Sequence, residues 1–133
     1  MNILVIGGSG FIGTRLIERL LKAGYTVRNY DKNQSETYPN LTFIGDVRDK
    51  ENLSEQAKEI DVIYNLAAEH QDNVQPVSLY YDVNVKGAEN VVYAAKKNEI
   101  RTIIFTSTVA LYGLNKGIPS EDNLIEPFNV EKR

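Results

Sequence analysis

The chain opens on an unbroken apolar run, Ile3-Leu4-Val5-Ile6, set directly against Gly7-Gly8-Ser9-Gly10-Phe11-Ile12-Gly13. Such a run predicts a strand buried on both faces, the pattern of a parallel sheet. The period then changes: Leu16, Ile17, Leu20 and Leu21 recur at helical spacing, and Gly24 stops the helix. Residues 25–30 predict a second strand ending at Asp31, and residues 41–44 a short third strand closed by Gly45-Asp46. A helix is expected over 52–60 and a fourth strand over 61–68, running into small residues. A long helix over 78–98 follows, with Val83, Val91, Val92, Ala94 and Ala95 as its apolar positions, and residues 101–107 predict a fifth strand. Beyond Gly113 the pattern is loop-like, with Gly117, Pro119 and Pro127 as breakers.

Alternating strands and helices argue a parallel sheet, because parallel neighbours need crossover connections and those are right-handed. The expected fold is α/β, a Rossmann-type doubly wound parallel sheet of strand order 3-2-1-4-5. Ligands in such sheets bind at the carboxyl ends of the strands, near the switch point between strands 1 and 4. The spacing Gly7-x-x-Gly10-x-x-Gly13 at the first of those ends reads as a dinucleotide cradle, where backbone comes close to a pyrophosphate seated on a helix N-terminus. The bland alternative is a tight turn. Asp31, about 20 residues further on, stands where a carboxylate accepts hydrogen bonds from the adenosine ribose and repels a 2′-phosphate, favouring NAD over NADP. Lys32 beside it works in the other direction, since a cation tolerates that phosphate.

Composition narrows the partners. At 133 residues, 42% of them hydrophobic, the chain is one domain able to bury a core. A formal charge of −3, with Lys96-Lys97 as the longest cationic cluster, provides no basic stripe for nucleic acid. There is no apolar run of the roughly 18 residues that span a bilayer, and no charged leader, so a cytoplasmic protein is expected. Without cysteine, and with His70 as the one histidine, no disulfide and no metal site are expected.

Further motifs follow in order: Gly45-Asp46-Val47-Arg48-Asp49, Asn65-Leu66-Ala67-Ala68, Asp82-Val83-Asn84-Val85-Lys86-Gly87, and Phe105-Thr106-Ser107-Thr108-Val109-Ala110-Leu111-Tyr112-Gly113. With the glycine cradle and Asp31, they resemble the extended short-chain dehydrogenase/reductase family, in its NAD-dependent sugar-nucleotide epimerase and dehydratase branch, over nearly the whole chain. The resemblance implies cofactor contacts at Gly7, Gly10, Phe11, Ile12, Gly13, Asp31, Lys32, Asp46, Val47, Leu66, Ala67, Ala68, Asn84 and Thr106. In it, Asp46 and Val47 meet the adenine; the alternative for Asp46 is a helix cap, a role that also suits Asp49. Leu66, Ala67 and Ala68 lie under the ribose and pyrophosphate, although a packed strand end would look the same. Asn84 anchors the loop after strand 4 and the nicotinamide end, or else sits on a solvated face. Thr108 is the implied catalytic residue, bonding the substrate oxygen during hydride transfer, with Ser107 as runner-up. The dehydratase acid pair is replaced by Val109-Ala110, which argues against 4,6-dehydration.

The family's chemistry also needs a tyrosine with a lysine one helical turn later, the lysine lowering the phenol pKa. Tyr93 with Lys97 and Tyr112 with Lys116 have that spacing, but each falls outside the expected context and both read as coincidence. The pair is expected past Glu126-Pro127-Phe128-Asn129, where the chain reads Val130-Glu131-Lys132-Arg133, so the chain reads as truncated before the catalytic helix and substrate domain. Residues 1–113 form the expected NAD-binding domain and 114–133 a loop-like tail. The implied function is the NAD-binding half of a nucleotide-sugar epimerase, inactive alone, whose complete form is a possible homodimer. Two alternatives stand beside it: an NAD(P)-dependent reductase of the same superfamily, and a non-catalytic dinucleotide-sensing module.

Overall fold

In a computed structural model, which describes residues 1–70, 75–113, 117, 118 and 120–125, the order of elements follows the hydrophobic pattern. Strand β1 (Asn2–Ile6) leads into helix α1 (Phe11–Lys22), then β2 (Thr26–Asp31), β3 (Thr42–Ile44), α2 (Lys50–Gln56) and β4 (Val62–Asn65). A helical stretch follows in three parts: α3 (Ser78–Tyr81), a wide π-type turn (Asp82–Lys86) and α4 (Gly87–Lys97), before β5 (Thr102–Phe105). The strands pair in parallel in the order β3-β2-β1-β4-β5, as expected from the sequence. Register aligns the carboxyl ends, with Ile6 opposite Tyr30 on one side and Asn65 on the other, and Asn65 opposite Phe105.

The central strand shows why its sequence is apolar throughout. Successive side chains of a strand point to opposite faces, so a strand covered on both sides has no polar position to spare. Ile3 and Val5 pack with Ile17, Leu20 and Val27 beneath α1, while Leu4 and Ile6 join Tyr30, Leu53, Ile63, Val91 and Ala94 beneath α2 and α4. Outer strand β5 is exposed along its length, with Ile103, Ile104 and Phe105 all partly in solvent.

Several boundaries differ from the expected ones. Strand β4 closes at Asn65 rather than continuing over 66–68: the Leu66 amide still bonds the Ile6 carbonyl, and Ala67 and Ala68 run past the end of β1. Helix α2 begins earlier than expected because Asp49, not Asn52, ends the preceding loop: its carboxylate accepts from the Asn52 amide at 3.1 Å. The expected helix over 78–98 is not uniform, since five of its residues take the rarer i→i+5 form. Val92 lies on its exposed side, while Val91, Ala94 and Ala95 are buried. Strand β5 covers Thr102–Phe105 rather than 101–107, and Val109–Tyr112 form a short 3₁₀ turn beyond it. The expected tail at 114–133 falls largely outside the described residues, and Lys116, Pro119 and Pro127 with it.

Packing predicts a steep contrast between the central and outer strands. Ile63→Ala, at a fully buried position, is expected to cost about 3 kcal/mol, whereas Ile104→Ala, at 40% exposure, should cost less than about 1 kcal/mol. Urea denaturation of the two variants measures both.

Candidate functional site

Where β1 ends, Gly7 takes φ of +79°, and a Cβ there would lie 2.9 Å from the Ala67 nitrogen and 3.0 Å from the Leu66 carbonyl carbon. Only glycine allows both the dihedral and the contact. The Leu66 amide donates to the Ile6 carbonyl at 2.9 Å, so the two chain ends are tied before they part. Gly13 packs directly on Gly8, which draws the first turn of α1 against the loop. That turn has no side-chain cap and no acidic residue; its first internal bond runs from the Thr14 amide to the Gly10 carbonyl at 2.9 Å. Uncapped amides at a helix N-terminus form a site suited to an anion.

Beside the loop, the Asp31 carboxylate accepts from the Ser9 amide through Oδ2 and from the Asn33 amide through Oδ1, each at 2.9 Å. Each oxygen keeps a further acceptor site, because a carboxylate offers about four. Under the same loop, buried Asn29 donates from Nδ2 to the Ser9 hydroxyl at 3.0 Å and to the Thr42 hydroxyl at 2.9 Å. Those hydroxyls in turn donate to the carbonyls of Asn33 and Tyr38. The loop after β1, strand β2 and the start of β3 are thereby joined through one buried amide.

A turn over 45–48 closes the β3 side. Asp46 is not a helix cap. Its carboxylate accepts from the Arg48 amide and is gripped by the Arg48 guanidinium, with Nε to Oδ1 at 2.9 Å and a terminal nitrogen to Oδ2 at 2.6 Å. That grip holds the Asp46 carboxyl below the usual carboxylate range. Tyr30, fully buried, donates its hydroxyl to the Asp46 carbonyl at 2.9 Å. Burial pushes the phenol up to about 12, helped by the nearby charges of Asp49 and Asp46. It therefore stays a donor throughout the neutral range.

Together these ends enclose a groove of about 530 Å³. It is lined by Gly7, Gly10, Asp31, Lys32, Asp46, Val47, Leu66, Ala67 and Ala68, all singled out from the sequence, and by Ser9, Asn33, Arg48, Glu69 and His70, which were not. Asn84, in the middle of the π-type turn, stands just outside and clamps the loop after β4, its Oδ1 accepting from the Glu69 amide at 2.8 Å and its Nδ2 donating to the Glu69 carbonyl at 3.0 Å. Phe11 and Ile12 are 73% and 62% exposed, and Phe11 lies under the Arg15 guanidinium at 3.6 Å. Thr106 bonds back to the Asn65 carbonyl, and Thr108, exposed, accepts from the Ala110 amide at 3.2 Å. Neither threonine lines the groove. Tyr93 packs against the ammonium groups of Lys50 and Lys97 on the α2–α4 surface, away from the groove lining. Ser9 and Arg48 stood inside the sequence motifs without a role of their own; Asn29 carried no sequence signal beyond being polar.

A parallel sheet with an uncapped helix N-terminus, a glycine loop and an anchored carboxylate at the next strand end defines a dinucleotide-binding α/β domain. Residues 3–133 match the NAD dependent epimerase/dehydratase family, and the chain belongs to it. It is 53% identical over 128 residues to N-acetyl-alpha-D-glucosaminyl-diphospho-ditrans,octacis-undecaprenol 4-epimerase of Escherichia coli O157:H7, covering 96% of this chain and 38% of that protein. Among solved structures, it resembles a short-chain dehydrogenase/reductase superfamily protein from Agrobacterium tumefaciens with bound NAD, at 26% identity and a TM-score of 0.88, over 97% of this chain and 40% of that one. It also resembles UDP-glucose 4-epimerase from Brucella ovis in complex with NAD, at 28% identity and a TM-score of 0.86, over 96% and 42%. The chain thus spans about two fifths of the length of these relatives. Among the described residues, no helix is long and apolar enough to cross a membrane.

The raised Tyr30 pKa fixes a sign. Unfolded, the phenol ionises near 10.0; folded, near 12, so its contribution to stability is complete below pH 10 and is lost as pH rises toward 12. Urea midpoints are expected to fall across that window, and to fall less steeply in Tyr30→Phe.

Proposed function

We propose that the groove binds NAD and that this chain is the cofactor half of a sugar 4-epimerase. The observation that carries the assignment is Asp31: a carboxylate at the end of β2, fixed by the amides of Ser9 and Asn33 and lining the groove next to the glycine loop. With the pyrophosphate at the α1 N-terminus, Asp31 accepts from the adenosine ribose hydroxyls and disfavours a 2′-phosphate. The adenine then lies toward the turn over 45–48. There the Asp46 carboxylate would accept from its amine and the Val47 amide would donate to its ring nitrogen. Leu66, Ala67 and Ala68 would hold the ribose and pyrophosphate, and the loop that Asn84 clamps would hold the nicotinamide end. Bound NAD supplies a reversible hydride acceptor.

In the complete enzyme, Thr108 bonds the sugar oxygen while hydride leaves the ring carbon and returns to the opposite face, with no net oxidation. Tyr93 with Lys97 is committed to the outer surface, which supports a proton-transferring tyrosine and lysine other than this pair. On this reading the chain as given binds cofactor without turnover. The sugar is carried on a diphosphate. The 53% identity to an enzyme named for a polyprenol-linked sugar favours a polyprenol over a nucleoside as the carrier.

Calorimetric titration tests the cofactor half. NAD is expected to bind at least about tenfold more tightly than NADP, and Asp31→Ala to weaken NAD by about tenfold while narrowing the gap. Equal affinities for the two dinucleotides, or no effect of the substitution, would remove Asp31 from this role. For the carrier, a protein extended to the length of its relatives should interconvert N-acetylglucosaminyl and N-acetylgalactosaminyl diphosphate-undecaprenol. Turnover of the UDP-linked sugars alone would assign the nucleoside carrier instead.

A further inference from the structure

Helix α4 reaches the β3 side of the groove through a residue that does not line it. Asn90 donates from Nδ2 to the Val47 carbonyl and to the Arg48 carbonyl, each at 3.1 Å. One amide group therefore holds two successive peptide units of the turn. Close packing next to it removes the remaining slack: a Cβ on Gly87, one helical turn earlier, would lie 2.7 Å from a Val47 methyl carbon. Val47 itself is buried, which leaves its backbone rather than its side chain to face a ligand. From below, the Tyr30 hydroxyl holds the Asp46 carbonyl. From within, the Arg48 guanidinium and amide hold the Asp46 carboxylate. Carbonyl 46, carbonyl 47 and carbonyl 48 are thus each fixed by a side chain, and only the hold on 47 and 48 comes from outside the sheet.

We propose that Asn90 is a positioning residue that sets the turn at Asp46–Arg48 to read the exocyclic amine of adenine, so that base selectivity depends on a helix residue outside the groove. The proposal rests on the assignment of the adenine to this turn. Its chemistry is specific. Hypoxanthine replaces the amine by a carbonyl oxygen, which meets the Asp46 carboxylate unfavourably, and protonates the ring nitrogen that the Val47 amide would address. An aligned turn therefore separates NAD from deamino-NAD, and a turn that wanders separates them less. Without Asn90, the carbonyls of Val47 and Arg48 turn to water, and the carboxylate and amide lose their fixed spacing.

Both dinucleotides are titrated into the chain and into Asn90→Ala, with thermal unfolding recorded beside them. The affinity ratio of NAD to deamino-NAD is expected to fall by roughly fivefold in the variant, toward one, while general loss of fold would weaken both ligands together and leave the ratio unchanged. Asn90→Ser keeps a single donor and should lie between; it decides the matter if Asn90→Ala does not fold. A ratio equal to that of the unsubstituted chain, in whichever variant folds, overturns the proposal and leaves the cofactor assignment standing. A folded unsubstituted chain that binds NAD but does not prefer it to deamino-NAD removes the adenine from this turn, and the proposal with it. No binding of either dinucleotide to that chain overturns both.

Discussion

The groove depends on one contact, that between the backbone of Gly7 and the backbone of Leu66 and Ala67. β1 and β4 are neighbours whose chains leave in opposite directions, one into α1 and the other toward the helix that starts at Ser78. A cleft opens where they part. A side chain at residue 7 would put its Cβ 2.9 Å from the Ala67 nitrogen, so the two backbones would have to part and the loop would be displaced from the sheet. The Leu66 amide bonded to the Ile6 carbonyl, and the Gly7 amide bonded to the Tyr30 carbonyl, show how fully the backbone is committed there.

Around that contact, the polar groups are preorganised rather than free. Asp31 is held by two amides, Asp46 by Arg48, and the loop after β4 by Asn84. A carboxylate fixed by backbone amides retains acceptor capacity and loses little conformational entropy when a hydroxyl arrives. Helix amides left without a cap complete the set at the centre. The groove thus offers an anion site with two anchored carboxylates on its β2–β3 side, an arrangement suited to a molecule whose charge is in its middle and whose hydroxyls and amine lie to one side.

Much of this was legible in the sequence because backbone requirements write themselves in glycine and period. The apolar run at 3–6 and the glycines at 7, 10 and 13 located the central strand and the cradle, and the alternation of periods predicted the strand order that the sheet has. Capping resolved only in three dimensions: Asp46 and Asp49 are both acidic and both precede α2, but only Asp49 bonds the helix. The π-type turn was invisible, since a count at 3.6 residues per turn cannot register one wider turn; Val92 is on the open side because it stands one position off the Val91, Ala94 and Ala95 stripe. Asn29 and Asn90 were missed for a different reason. A buried or bridging amide has the same letter as a solvated one, and its importance lies in carbonyls and hydroxyls far along the chain. For the family motif around Thr108, the resemblance supplied a role that the groove lining does not include.

The central claim is the place of the cofactor, and amide chemical shifts followed during NAD addition test it most directly. The account predicts that the largest changes fall at residues 7–13, 31–33, 46–48 and 66–68, at the carboxyl ends of the strands, with Thr26 and residues 59–61 at the opposite ends unmoved. Changes concentrated at the amino ends, or spread without preference over the surface, would contradict it.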